Sequence, residues 1–155
     1  MRPMTMRQQR DMRGIATVEL AIALPVLLLL LTATVEVGRL LSQYDTLTKS
    51  VRNAARYLAA NAFQGTTGVV NITPQVQSAT ANLVVTGNVN GTGSSLLPRL
   101  VSGNVTVTNL GAGFVSVSAS YTYQPLLGAV LPTFGTGPRT ALGFSLNATT
   151  VMRAL

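Results

Sequence analysis

The chain has 155 residues, of which 47% are hydrophobic and 10% are charged, and its formal net charge is +7 at pH 7. It contains neither cysteine nor histidine, which excludes thiol chemistry, histidine-based catalytic triads and the common zinc sites. No Asp or Glu follows Asp45, so acid–base catalysis by paired carboxylates is excluded there, and we expect no enzyme, no metal and no cofactor.

The first 14 residues are polar and basic, and they hold four of the eleven Lys and Arg residues. Basic residues that flank an apolar segment indicate topology, because such residues stay on the cytoplasmic side of a membrane. Only Arg99, Arg139 and Arg153 lie beyond residue 60, too few for the clustered basic surface that nucleic acid requires. We therefore expect a cytoplasmic leader and no binding of nucleic acid.

An apolar run of 21 residues, from Ile15 to Val35, follows the leader. A helix of this length spans roughly 30 Å, enough for the hydrocarbon layer. Glu19 interrupts the run with a charge that costs roughly 2.5 kcal/mol or more inside a bilayer, so it is a functional residue by default. Pro25 removes one helical hydrogen bond and predicts a kink.

Two simpler interpretations of this run remain open. One is a secretory signal peptide cut near Ala33, although a Glu in the apolar region and a helical pattern beyond the cut argue against it. The other is a plain signal anchor, which explains the span and leaves Glu19 without a role.

The helical pattern continues past the apolar run. Steps of four and three residues connect an apolar stripe made of Leu40, Tyr44, Leu47, Val51, Ala54 and Leu58. Asp45 and Lys49 form a favourable i,i+4 ion pair. The pattern predicts one helix from about Ile15 to about Ala62, with Gly65 as its stop, whose stripe packs under its own domain.

The remainder predicts a small sheet with one short helix. Thr73 and Pro74 begin a helix that ends at Gly87, and a Gly- and Asn-rich surface loop extends from there to Pro98. Three runs alternate between apolar and polar residues, at 104–108, 115–123 and 142–152, and period two predicts antiparallel strands. The fold class is therefore α+β. An apolar loop at 125–138 either touches a neighbour or folds back on the sheet edge.

The segment from Gly14 to Glu19 (GIATVE) resembles the processing signature of type IV prepilins. The longer strings at 13–27 (RGIATVELAIALPVL), 35–39 (VEVGR) and 51–57 (VRNAARY) are similar to the TadE-like family, pseudopilins of tight-adherence pilus systems. Residues 121–126 and 148–153 look like the tail of that family. Major pilins of these systems are far shorter, so the resemblance implies a minor component.

The resemblance implies that a prepilin peptidase cuts between Gly14 and Ile15. It further implies residence in the inner membrane and a role in pilus assembly, with other pilins, the assembly platform and the lipid bilayer as partners. The new α-amino group of Ile15 would then face Glu19 of a neighbouring subunit, a pairing that fixes the axial register of subunits.

These expectations divide the chain into a leader at 1–14, a long helix at 15–64 that crosses the membrane at about 15–35, and an extracytoplasmic head at 65–155. A rival hypothesis from another class is a signal-anchored binding or adhesin module that never polymerises. A third is a secreted protein cut near Ala33.

Overall fold

The computed structural model describes residues 6–63, 69–126 and 143–155, and for residues 6–15 it describes the backbone alone. These residues form α1 (Met6–Asn61), α2 (Pro74–Thr86), a short 3-10 turn (Ser102–Asn104), β1 (Val105–Gly111), β2 (Phe114–Thr122) and β3 (Ser145–Arg153). The chain divides into two compact units, Met1–Arg39 and Leu40–Leu155. A long apolar helix, a short helix and a three-stranded antiparallel sheet confirm the α+β class.

Helix α1 begins at Met6, nine residues before the predicted start at Ile15. Met, Arg and Gln, which dominate positions 6–13, are strong helix formers, and a single Gly14 is too weak a breaker to separate the leader from the helix. The helix ends at Asn61, which confirms the predicted end within one residue. The predicted stop at Gly65 lies outside the described residues.

The second unit buries one face of α1. Leu47, Val51, Ala54 and Leu58 of the predicted stripe are fully buried, whereas Tyr44 keeps 44% of its surface exposed. The buried face is wider than the stripe, because further small residues sit beside it: Ser50, Ala55, Ala59 and Ala62. These side chains join the sheet and α2 in one core, so the stripe packs under its own domain, as predicted.

Helix α2 has the predicted boundaries, each with a clear physical cause. The Thr73 hydroxyl accepts a hydrogen bond from the Val76 N–H at 3.3 Å, and Pro74 occupies the first turn, where no backbone donor is needed. Gly87 adopts a left-handed conformation with φ of 74° and donates its N–H to the Leu83 carbonyl at 3.1 Å.

The sheet has the order β1-β2-β3, and both pairings are antiparallel. The central strand β2 turns Val115, Val117, Ala119 and Tyr121 into the core, where each is at most 3% exposed. Leu146 and Ala148 of β3 share this face, as the alternating pattern predicts. The third strand begins at Ser145, and Leu142, where the alternation starts, lies outside the described residues.

The C-terminal residues attach the sheet to α1. The Ala154 N–H donates to the Gly113 carbonyl at 2.8 Å, and the Leu155 N–H donates to the Ala59 carbonyl of α1 at 3.0 Å. Ala154 is buried against the core, whereas the Leu155 side chain is exposed. The second of these bonds joins two residues that are 96 positions apart in the sequence, Leu155 and Ala59.

The loop after α2, predicted to lie at the surface, also contributes to the core. At the surface it forms a turn in which the Gly91 N–H donates to the Asn88 carbonyl at 3.1 Å. Leu97 and Leu100, however, are 3% and 2% exposed and belong to the core. The predicted apolar loop at 125–138 lies almost entirely outside the described residues, so its two interpretations stay open.

We predict that Leu58→Ala destabilises the second unit by about 2–5 kcal/mol, because the fully buried Leu58 leaves a cavity between α1 and the sheet. The same truncation at Leu41, which is 58% exposed, should change stability by no more than about 0.5 kcal/mol. Denaturant unfolding of the full chain in detergent micelles, followed by tyrosine fluorescence, measures both. Equal midpoints for the two variants would contradict the packing.

Candidate membrane and assembly segment

Between Ala16 and Val35, α1 exposes apolar side chains on every side, with Glu19 as the one acidic residue. Large apolar side chains along it keep between 49% and 71% of their surface exposed: Val18, Leu20, Ile22, Leu24, Val26, Leu27, Leu28, Leu30, Leu31 and Val35. Exposure of this kind all around a helix is favourable in lipid and very unfavourable in water. The segment thus has the surface of a membrane-spanning helix.

The length and backbone of the segment also suit a bilayer. Its most apolar 18-residue window has a mean hydropathy of 2.4, and none of that window is buried within the protein. The hydroxyls of Thr32 and Thr34 donate to the Leu29 and Leu30 carbonyls at 2.9 and 2.8 Å, so neither brings an unsatisfied donor into lipid. By length and composition α1 can cross a membrane, although a signal sequence near an N-terminus has the same properties.

Glu19 is the one acidic residue inside the apolar run, and its side chain is exposed. The positions one helical turn away are occupied by Ile15, Ala16, Ile22 and Ala23, so its own helix offers no cation at pairing distance. An ionised carboxylate in lipid needs a partner to offset its desolvation. Its partner must therefore come from outside this helix segment.

The other residues of the predicted site lie on the same helix. Gly14 and Ile15 have helical backbone, and Ile15 is one turn from Glu19 on the same side of α1. Pro25 lies inside the helix and is exposed. The cleavage after Gly14, the pairing of Ile15 with Glu19 of a neighbouring subunit and the kink at Pro25 all stay predictions.

Groups that hold metals or transfer protons are sparse among the described residues of the second unit. Among the described residues, no three His, Cys, Asp or Glu side chains gather where they could hold a metal ion. A shallow groove between α1 and the end of α2, with a volume of about 190 Å³, is lined by small and apolar groups such as Ser50, Leu83 and Leu96, with Lys49 at its side. Its lining contains no carboxylate that could act as a general base.

Comparison with known families supports the resemblance inferred from the sequence. Residues 14–56 match the family model described as TadE-like protein. No curated protein and no solved structure matches the chain. The matched segment begins at Gly14 and covers Glu19, the apolar run and most of the buried face of α1. This family is a structural pilus component, and its match together with the apolar helix fits a pilin-like, membrane-associated component of a tight-adherence pilus.

We predict that the full chain sediments with membranes and resists alkaline extraction. Replacing both Leu27 and Leu28 with arginine should move it to the extractable fraction, since each arginine adds about 2.5–3.5 kcal/mol at the centre of a span. The matched control replaces Val101 and Leu110 of the second unit, which are 57% and 55% exposed, with arginine. This control variant should stay in the membrane fraction. Extraction of the unaltered chain would contradict the assignment of the span.

Proposed function

We propose that this chain, whose residues 14–56 match the TadE-like family, is a minor pilin or pseudopilin that takes part in assembly of a tight-adherence pilus for surface attachment. A leader at 1–14 faces the cytoplasm, residues 15–35 cross the inner membrane, and the head at residues 65–155 lies outside the cytoplasm. The observation that carries the proposal is Glu19, the single carboxylate inside the exposed apolar run, five residues after Gly14.

Processing by a prepilin peptidase would convert the leader boundary into an assembly element. Water adds across the Gly14–Ile15 peptide bond, which leaves a carboxylate on Gly14 and an α-amino group on Ile15. A helical backbone must first unwind for the peptidase to reach this bond, and a glycine in the helix lowers that cost by about 1 kcal/mol relative to alanine. The cut also removes four arginines, so the mature chain begins next to its apolar run.

The mature N-terminus then supplies the cation that Glu19 needs. An α-amino group on Ile15 is positive at neutral pH, and a neighbouring subunit brings it against Glu19 when two helices pack side by side with an axial offset. Attraction between the two groups is strong in lipid, where the dielectric constant is low. The pair contributes to specificity for one axial register more than to net stability, because both charges lose their hydration.

The N-terminus of the mature protein distinguishes this proposal from its rivals. N-terminal sequencing of chain isolated from cells that contain the peptidase should read from Ile15. A start at Met1 would favour the signal-anchored adhesin module that does not polymerise. A start after Thr32 would favour a secreted protein.

We predict that Gly14→Lys abolishes processing, because a long charged side chain replaces the small residue before the cut. The variant should migrate more slowly than the wild type in cells that contain the peptidase. The same change at Gly103, a residue of the second unit that has no neighbouring atom within 4 Å of an added Cβ, is the control. Wild-type migration of the Gly14 variant would refute processing at this bond.

We predict that Glu19→Ala is inserted and cleaved normally yet loses at least about tenfold in co-purification with other pilus components, equivalent to about 1.4 kcal/mol. The physical reason is that the α-amino cation of the neighbour is left without its counter-ion in lipid. Asp45→Ala, which removes an exposed carboxylate from the same helix, is the control. Unchanged co-purification of the Glu19 variant would rule out the pairing.

A further inference from the structure

The face of α1 that points away from the core of the second unit carries a row of cations. Lys49, Arg52 and Arg56 are all exposed, and their spacing of three and four residues places them on one side of the helix. We call these three residues the basic row. None of the three belongs to the apolar stripe of α1.

The chain itself provides almost no negative charge for the basic row. Asp45 is the last acidic residue, and its carboxylate already bonds the Lys49 ammonium at 2.6 Å. Six basic residues and no acidic one follow Asp45. Arg52 and Arg56 sit one turn apart, where like charges repel, so the arrangement weakens the isolated helix.

This charge distribution also limits what can cover the basic row. The second unit of another copy would bring the same excess of positive charge and no carboxylate except Asp45, which is already paired. Two copies would therefore repel each other through this face. The partner that fits is anionic and differs from this chain.

The surroundings of the row favour a helix as that partner. Asn53 and Ala60 are exposed beside the arginines and are small, which lets another helix approach to the usual interaxial distance of about 8–10 Å. Guanidinium groups bind carboxylates through two parallel hydrogen bonds, and two carboxylates one turn apart on a partner helix would match Arg52 and Arg56. A phosphate polymer or a lipid surface gains nothing from small residues at this position.

We propose that the basic row docks the acidic face of a long helix from a second, different pilin-like subunit. This inference rests on the proposed function and names its partner by chemistry. The contact joins the two subunits along their helices outside the apolar run, at residues separate from Ile15 and Glu19.

The test uses the full chain in cells that carry the pilus system, with the photo-reactive residue p-benzoylphenylalanine in place of Asn53. Irradiation should give one discrete adduct with a different protein, and mass spectrometry should place the cross-link on a helix that bears carboxylates one turn apart. Replacing both arginines (R52Q and R56Q) should reduce the adduct at least tenfold, while the matched change R99Q should leave it unchanged. Arginines in place of the two partner carboxylates should abolish the adduct with wild-type chain and restore it with R52E/R56E.

Other results would overturn the inference. An adduct with a second copy of this chain, with lipid or with a polyanion would exclude an acidic subunit helix as the occupant, and so would the absence of any adduct. The denaturation midpoint of the R52Q/R56Q variant, expected to match the wild type, confirms that a lost adduct does not reflect unfolding. If Ile15 is still the mature N-terminus when no adduct forms, docking fails while the proposed function stands.

Discussion

The structure depends on the internal hydrogen bonding of one helix. Inside α1, which runs from Met6 to Asn61, backbone donors and acceptors pair mainly with each other, and such pairing is the condition for a peptide chain to enter lipid. The side chains of α1 differ between its N-terminal and C-terminal parts. From Ala16 to Val35 they are apolar on all sides apart from Glu19, whereas from Leu47 onward they are apolar on the side that covers the sheet. One element thus combines a segment that is long and apolar enough to cross a membrane with the central helix of a core.

Because the chain has few charged residues, an ionised side chain without a counter-ion indicates where a second molecule binds. With four acidic residues in the whole chain, Glu19 has no cation within one turn, and Arg52 and Arg56 have no counter-ion that the chain can spare. In a protein with many charged residues, neighbouring side chains would supply the missing counter-ions. Here each points to a second molecule: a neighbouring N-terminus for Glu19 and an acidic helix for the basic row. Both proposals concern assembly, as the match to a pilus family suggests.

Much of this fold could be predicted because its signals are local. Thr73 and Gly87 cap α2 through residues in their immediate vicinity, and the alternation in β2 follows directly from a sheet with one buried face. Leu97 and Leu100 were missed, because two leucines in a Gly-rich loop show no period and their burial depends on distant elements. The start of α1 was missed for the opposite reason, since a change of composition at Ile15 was interpreted as a change of structure. The sequence motif located Glu19, but a single chain cannot reveal which molecule pairs with it.

The hydrogen bond between Leu155 and Ala59 joins two distant parts of the sequence within the second unit. Contacts between residues 96 positions apart form late, because a long chain segment must close before they contribute to stability. The alanine-rich face of α1 is therefore fully covered only once β3 has paired with β2. Where α1 crosses a membrane, as we propose, this last step takes place on a chain that is tethered to the bilayer and not in free solution.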